Sequence, residues 1–120
     1  MSVKINVRET ANAVILEATG RITLGASEPS LQDGIRELLD SGHKNIILDL
    51  RGVTFLDSSG LGQLVGSYAT AVSRGGQIRL LNLNKRIYDL MQITKLYTVF
   101  AIYTDETTAV KSFEAAAVSA

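Results

Sequence analysis

Apolar and polar residues alternate at the start of the chain in the pattern of half-buried β-strands. Apolar residues recur at every second position over residues 3–7 and again over residues 14–18, on either side of a short polar turn. Two such runs predict an antiparallel β-hairpin that ends at Gly20. Residues 22–30, which include a glycine and the only proline, are predicted to form a loop.

Apolar residues at helical spacing then predict about four helices, centred on residues 31–39, 61–72, 87–91 and 109–117. Gly42 is expected to cap the first helix at its C-terminal end, and Thr104 or Asp105 to cap the last at its N-terminal end. In the second and clearest helix, the side chains expected in the core are Leu61, Leu64, Val65 and Tyr68. An exposed Leu61 could instead contact a partner.

Short, dense apolar runs alternate with these helices and are typical of buried strands. They cover residues 45–50, 77–81 and 96–103, and residues 53–56 lead into a polar segment. After the hairpin, helices and strands therefore alternate along the chain. This order predicts an α/β fold with largely parallel central strands and right-handed crossovers.

The composition narrows the class of protein. A chain of 120 residues fits one domain, 1–120, and its 12 basic and 12 acidic residues give no field that attracts nucleic acid or a membrane surface. Without cysteine there is no disulfide and no thiolate metal site. We therefore expect a cytoplasmic monomer that needs no cofactor and contacts neither nucleic acid nor membrane.

The polar segment Asp57-Ser58-Ser59-Gly60-Leu61-Gly62 lies where a predicted strand passes into a predicted helix. A helix start presents unpaired N–H groups and the positive end of the helix dipole, which suit a phosphate group. Serine and aspartate are also the usual N-caps, so Asp57, Ser58 or Ser59 could cap the helix without any phosphate. The local sequence alone favours the capping role.

With this segment the chain resembles the STAS-domain anti-sigma-factor antagonists. The resemblance extends over nearly the whole chain, through residues 18–22, 46–62, 75–83 and 90–100. It implies a curved mixed sheet of about four or five strands with an N-terminal hairpin, flanked by about four helices. It also implies a binding protein rather than an enzyme.

The resemblance implies a specific switch centred on Ser58. The unphosphorylated antagonist binds an anti-sigma factor that is also a serine kinase, and so frees a sigma factor. The kinase phosphorylates Ser58 and disables the antagonist, and a separate serine phosphatase restores it. The partner-binding residues that the resemblance indicates are Asp57, Ser58, Ser59, Gly60, Leu61 and Thr23. Thr23 stands where relatives commonly carry an aspartate that contributes to partner recognition.

Two other functions are compatible with parts of the pattern. A STAS domain that is not phosphorylated could act as a scaffold or as an accessory subunit of lipid transport, although such members often lack the serine. A hydrolase would need Ser58 or Ser59 as nucleophile and His43, the single histidine, as base. The chain has no Gly-x-Ser-x-Gly motif, which disfavours the hydrolase.

Overall fold

The computed structural model describes residues 3–23 and 30–118, and for residues 115–118 the backbone only. The strands are β1 (Lys4–Glu9), β2 (Val14–Ile22), β3 (Asn45–Leu56), β4 (Gln77–Leu81) and β5 (Ile102–Tyr103). The helices are α1 (Leu31–Asp40), α2 (Ser58–Ser73), α3 (Lys85–Ile93) and α4 (Glu106–Val118), and a 3₁₀ turn covers Leu96–Thr98. None of the helices in the described part of the chain has the length and apolar character of a bilayer span.

The five strands form one mixed sheet in the order β1-β2-β3-β4-β5. β1 pairs with β2 in antiparallel orientation, and every other neighbouring pair is parallel. The hairpin, the parallel central strands and the α/β class predicted from the sequence are therefore confirmed. Because parallel strands all end at the same edge of a sheet, the segments that follow β2, β3 and β4 leave the sheet on one side.

Helices cover both faces of the sheet. Buried residues of α1, α2 and α3 join the larger core cluster on one face, where they pack against alternate residues of the strands such as Leu16, Ile46 and Leu80. The opposite face holds a smaller cluster beneath α4, formed by Ile15, Ile47, Leu81, Ala109 and Phe113. Neighbouring strand residues thus serve opposite cores, which explains why the central strands are almost continuously apolar.

Strand β2 is longer than the sequence predicted. The strand was expected to end at Gly20, but it continues to Ile22, where it pairs with Leu56 of β3. The two strands stay paired through two irregularities, between Glu17 and Thr19 and between Gly20 and Arg21. The prediction failed because a parallel partner of twelve residues holds the chain extended beyond a residue that favours turns. Of the predicted loop, residues 24–29 lie outside the described residues.

The predicted strand over residues 96–103 is largely wrong. Its first part is the 3₁₀ turn, in which the carbonyl of Leu96 accepts hydrogen bonds from the N–H groups of Val99 at 2.9 Å and Phe100 at 3.0 Å. Phe100 is buried, and its ring meets that of Tyr68 edge-on with centroids 5.2 Å apart. The apolar residues of this segment thus anchor a turn against α2, and only two residues form β5.

Of the two predicted helix caps, that of α4 is confirmed and that of α1 is shifted by one residue. Ser30 and Asp33 form a reciprocal capping box at the start of α1. The C-cap of α1 is Ser41, one residue before the predicted Gly42, which follows in a left-handed conformation with φ of +94°. Of the two candidates for α4, the cap is Asp105, whose carboxylate accepts a hydrogen bond of 2.9 Å from the N–H of Thr108.

Candidate docking site at the start of helix α2

The ends of β2 and β3 bring the predicted site residues together. Ile22 and Leu56 are paired as the last residues of their strands, so Thr23 and Asp57 leave the sheet side by side. The side chain of Gln63 links the two segments, since its Nε2 donates a hydrogen bond of 3.1 Å to the carbonyl oxygen of Thr23. Thr23 therefore adjoins the first two turns of α2 and lies close to the other residues that the resemblance indicated.

Asp57 is the N-cap of α2. Its backbone is extended, and its Oδ1 accepts a hydrogen bond of 2.8 Å from the N–H of Gly60. Its carbonyl oxygen accepts the first intrahelical bond, from the N–H of Leu61 at 2.9 Å. The sequence left Asp57, Ser58 and Ser59 as alternative caps, and the structure selects Asp57. The Ser58 hydroxyl is therefore not used to begin the helix.

Ser58 is the first residue of α2 and is exposed to solvent. Within the described residues its hydroxyl forms no hydrogen bond, and neither does that of the half-buried Ser59. The N–H groups of Ser58 and Ser59 precede the first intrahelical bond, so they can donate to an anion. An anionic group attached to the Ser58 oxygen would thus lie at the positive end of the dipole of a 16-residue helix.

Gly60 packs directly against the end of β2. A Cβ on Gly60 would lie 2.1 Å from the carbonyl oxygen of Ile22 and 2.6 Å from Cδ1 of Leu56, distances that no side chain can occupy. Gly62, two residues further on, is different, because a Cβ there would lie more than 4 Å from every described residue beyond its neighbours in α2. The first glycine holds α2 close to the sheet, whereas the second leaves an open surface beside Ser58.

The core face of α2 differs from the prediction. Val65, which was expected in the core, is 40% exposed, and Val72 on the same side is 50% exposed. The buried residues of α2 are instead Gly60, Leu64, Ser67 and Ala71. At 100° per residue this buried face is rotated by roughly a quarter turn from the predicted one. Three of its four residues are small, which lets α2 lie close to the sheet and α1.

The outward side of α2 therefore carries an apolar stripe beginning one turn after Ser58. It consists of the half-buried Leu61 and the exposed Val65, Ala69 and Val72. With 3.6 residues per turn, these residues and Ser58 lie on one side of the helix. We call this surface, from Ser58 to Val72, the α2 face. Exposed apolar side chains in a continuous row are typical of a protein interaction site.

The strand ends contribute no cation to the α2 face. Arg21 and Phe55 directly precede the paired Ile22 and Leu56 and so point to the opposite side of the sheet. There the guanidinium carbon of Arg21 lies 4.2 Å from the centroid of the Phe55 ring, in a cation–π contact. The charged group next to Ser58 in the sequence is the Asp57 carboxylate, which would repel an added phosphate.

The hydrolase constellation considered from the sequence does not form. His43 precedes β3 and Ser58 follows it, so the twelve-residue strand separates them. At about 3.3 Å per residue that separation is on the order of 40 Å, far beyond hydrogen-bond reach. Neither Ser58 nor Ser59 can use this histidine as a general base.

Gln63 is a site residue that the sequence did not indicate. Its Nε2 holds the Thr23 carbonyl, while its Oε1 is buried and has no hydrogen-bond partner within the described residues. Gln63 lies more than one turn into α2, where a glutamine is usually an ordinary surface residue. No local pattern distinguishes it, because its role depends on where β2 ends.

Comparisons with known proteins show which family the chain resembles. The STAS domain model matches residues 4–109. The anti-sigma-B factor antagonist of Bacillus subtilis is 29% identical over 102 residues, which cover 85% of this chain and 92% of that protein. The anti-sigma F factor antagonist of Paenibacillus polymyxa is 24% identical over 114 residues, covering 95% and 97%.

The fold is also that of a solved structure. An anti-sigma factor antagonist from Mycobacterium paratuberculosis matches with a TM-score of 0.81 and 20% identity, over 94% of this chain and 95% of that chain. The sheet order, the helix that begins at Ser58 and the extent of the family match lead to one assignment. The chain belongs to the STAS domain family.

Proposed function

We propose that this chain is an anti-sigma-factor antagonist whose binding is switched off by phosphorylation of Ser58. The unmodified chain binds an anti-sigma factor serine kinase through the α2 face, together with Thr23, Asp57 and Ser59. Gly60, which the resemblance also indicated, is buried against the end of β2, so it positions the first turn of α2 and does not contact the partner. Binding makes the anti-sigma factor release its sigma factor. The kinase transfers a phosphoryl group to Ser58, and a serine phosphatase removes it. The chain acts in the cytoplasm as a binding protein with no catalytic activity of its own.

One observation carries the proposal: the Ser58 hydroxyl is exposed at the start of α2 and forms no hydrogen bond with any described residue, because Asp57 supplies the cap. A kinase can reach such a hydroxyl without unfolding the helix. The names of the two relatives support the same role, since both are antagonists of anti-sigma factors. The apolar stripe of the α2 face supplies a surface for a protein partner.

Phosphorylation would act mainly through charge. In the transfer, the Ser58 oxygen bonds to the terminal phosphorus of ATP, the bond to ADP breaks and the hydroxyl proton is released. The product carries nearly two negative charges at pH 7 beside the Asp57 carboxylate. In the free protein, water and the N–H groups of the first turn accommodate this charge. At a packed interface its desolvation costs several kcal/mol, and each 1.4 kcal/mol lowers affinity about tenfold.

The switch needs no rearrangement of the antagonist. The cap bond from Gly60 to Asp57 and the contact of Gly60 with Ile22 both lie on the inner side of the first turn, away from the Ser58 hydroxyl. A phosphate on Ser58 leaves these contacts intact. We therefore expect nearly identical free structures for the two forms, so the loss of affinity arises in the interface.

The proposal is tested by phosphorylation with the kinase and ATP. The anti-sigma factors encoded in the same genome are purified, incubated with the chain and ATP, and the phosphopeptides are mapped by mass spectrometry. We expect modification at Ser58, full modification of Ser59→Ala and none of Ser58→Ala. Modification confined to Ser59 would contradict the residue assignment. Absence of both binding and modification with every anti-sigma factor would contradict the function.

A further inference from the structure

A surface depression lies beside the proposed docking site, between the end of β3 and helix α3. Its volume is about 640 Å³, and we call it the α3 groove. The residues that line it are Leu56, Lys85, Arg86, Asp89, Leu90 and Ile93. The α2 face does not include any of these residues, so the groove needs a separate explanation.

The groove has an apolar floor, and the helix α3 that forms one side of it is held in place by its N-cap. Leu56 is buried and Leu90 partly buried, but Ile93 is 79% exposed, the highest value for a large hydrophobic side chain within the described residues. Helix α3 is fixed by its cap Asn84, which accepts a hydrogen bond from the N–H of Ile87 and donates one to the carbonyl of Val53. An exposed isoleucine on a helix that is tied to β3 in this way can be covered by an apolar side chain of a partner.

The rim of the groove is basic. Lys85 forms an ion pair of 2.8 Å with Asp89, so these two charges largely cancel. Arg86 is exposed and, within the described residues, has no ion pair or side-chain hydrogen bond. One uncompensated guanidinium beside an apolar floor complements a segment in which an apolar residue is accompanied by a carboxylate.

The groove is continuous with the start of α2. Leu56 lines the groove and lies two residues before Ser58, so its Cα is within about 7 Å of that of Ser58. A protein that covers Ser58 and is wide enough to form a standard interface of about 800 Å² per partner would extend to neighbouring surfaces. The groove is an adjoining surface that offers both an apolar and a charged contact.

We propose that the α3 groove is a second docking point for the anti-sigma factor, which inserts an apolar side chain against Leu56, Leu90 and Ile93 and places a carboxylate on Arg86. The proposal rests on the proposed function, because it takes its partner from there. Since none of these residues touches the Ser58 hydroxyl, the contact adds affinity and partner specificity without being part of the phosphorylation chemistry.

The test measures binding of groove variants to the anti-sigma factor by calorimetry. We expect Ile93→Ser to weaken binding about tenfold. We expect Arg86→Glu to weaken it about tenfold at low salt and less at high salt, because an exposed charge pair is screened. Matched controls are Val7→Ser, an exposed valine on β1, and Lys111→Glu, an exposed cation on α4, and both should bind like the unaltered chain.

A second measurement separates this proposal from the proposed function. The ¹⁵N-labelled chain is titrated with the anti-sigma factor, and amide signals are followed at Ser58 and at Leu90 and Ile93. Shifts in both regions, with weaker binding of the two groove variants, support the groove. Shifts at Ser58 alone, with affinities of the variants within twofold of the unaltered chain, would overturn the groove and leave the proposed function standing. If none of the anti-sigma factors binds the chain, both the groove proposal and the proposed function are overturned.

Discussion

The Cα of Gly60 lies against the carbonyl oxygen of Ile22, so closely that a Cβ on Gly60 would come within 2.1 Å of that oxygen. This contact joins the first turn of α2 to the end of β2 and fixes where Ser58 emerges. Two glycines in one motif therefore have different roles, because Gly62 faces open space in the part of the chain that the structure describes.

Substitution of the two glycines by alanine should have opposite effects. Gly60→Ala forces the helix away from a backbone carbonyl and should lower the free energy of unfolding by about 1–3 kcal/mol or more. Gly62→Ala adds a methyl group to open space within a helix and should raise it by roughly 0.5–1 kcal/mol. Urea unfolding of both variants measures the difference. Equal effects of the two substitutions would contradict the close approach at Gly60.

Neighbouring apolar residues of α2 should separate stability from binding. Leu64 is fully buried, so Leu64→Ala should cost about 2–5 kcal/mol in the free energy of unfolding. Val65 is exposed on the α2 face, so Val65→Ser should leave the fold within about 1 kcal/mol of the original but weaken binding to the anti-sigma factor. Unfolding and calorimetric binding are measured on both. A Val65→Ser variant that binds normally would exclude Val65 from the interface.

Removal of the Gln63 amide should loosen the end of β2. Gln63→Leu keeps the size of the side chain but leaves the Thr23 carbonyl without its hydrogen bond, which contributes about 1 kcal/mol. Amide hydrogen exchange at Ile22 and Thr23 should become about fivefold faster. The control is Gln92→Leu, which alters an exposed glutamine on α3. Unchanged exchange in Gln63→Leu would show that the bond does not hold this segment.

The hairpin should carry a pH-dependent contribution from Glu17. Hydrogen bonds from Asn6 at 2.8 Å and from Arg8 at 3.1 Å lower the pKa of Glu17 below its ordinary value of 4.5. A carboxyl whose pKa is lowered on folding stabilises the protein fully above its unfolded pKa and loses that contribution as the pH falls through the folded pKa. The pair is partly exposed, so the contribution at pH 7 is at most about 1 kcal/mol.

The change that tests this contribution is Glu17→Gln, compared with the unaltered chain by urea unfolding at pH 7, 5 and 3. We expect the variant to be less stable at pH 7, with a difference that shrinks below pH 4.5 and is lost as Glu17 becomes protonated. Glu114→Gln, on the exposed side of α4, controls for the loss of one carboxylate. A difference that stays constant from pH 7 to pH 3 would contradict the linkage.

The sequence predicted the fold where local pattern and tertiary pairing agree. The hairpin, the central strands and α1, with its buried Leu31, Ile35, Leu38 and Leu39, follow directly from apolar periodicity. The end of β2 and the start of β5 do not follow from periodicity. Pairing with β3 extends β2 beyond Gly20, and the left-handed Lys95 precedes a 3₁₀ turn where a strand was predicted. Periodicity reports which residues are apolar, whereas the extent of a strand depends on its neighbours.

The sequence indicated where the candidate site lies, at the start of α2, but not its geometry. The motif indicated residues 57–62, and Thr23 followed from the resemblance, yet neither could show that Asp57 rather than Ser58 caps the helix. Val65 was wrongly predicted to lie in the core, because small residues, Ser67 and Ala71 among them, form the buried face of α2. Gln63 and the α3 groove depend on contacts between distant segments, which no local pattern encodes.

The central claim is that a phosphate on Ser58 controls docking, and affinity measures it most directly. The chain is prepared in unphosphorylated form and phosphorylated at Ser58 alone, and the dissociation constant of each form for the anti-sigma factor is measured by calorimetry. We expect the phosphorylated form to bind at least a hundredfold more weakly, which corresponds to about 2.7 kcal/mol. Equal dissociation constants for the two forms would contradict the account.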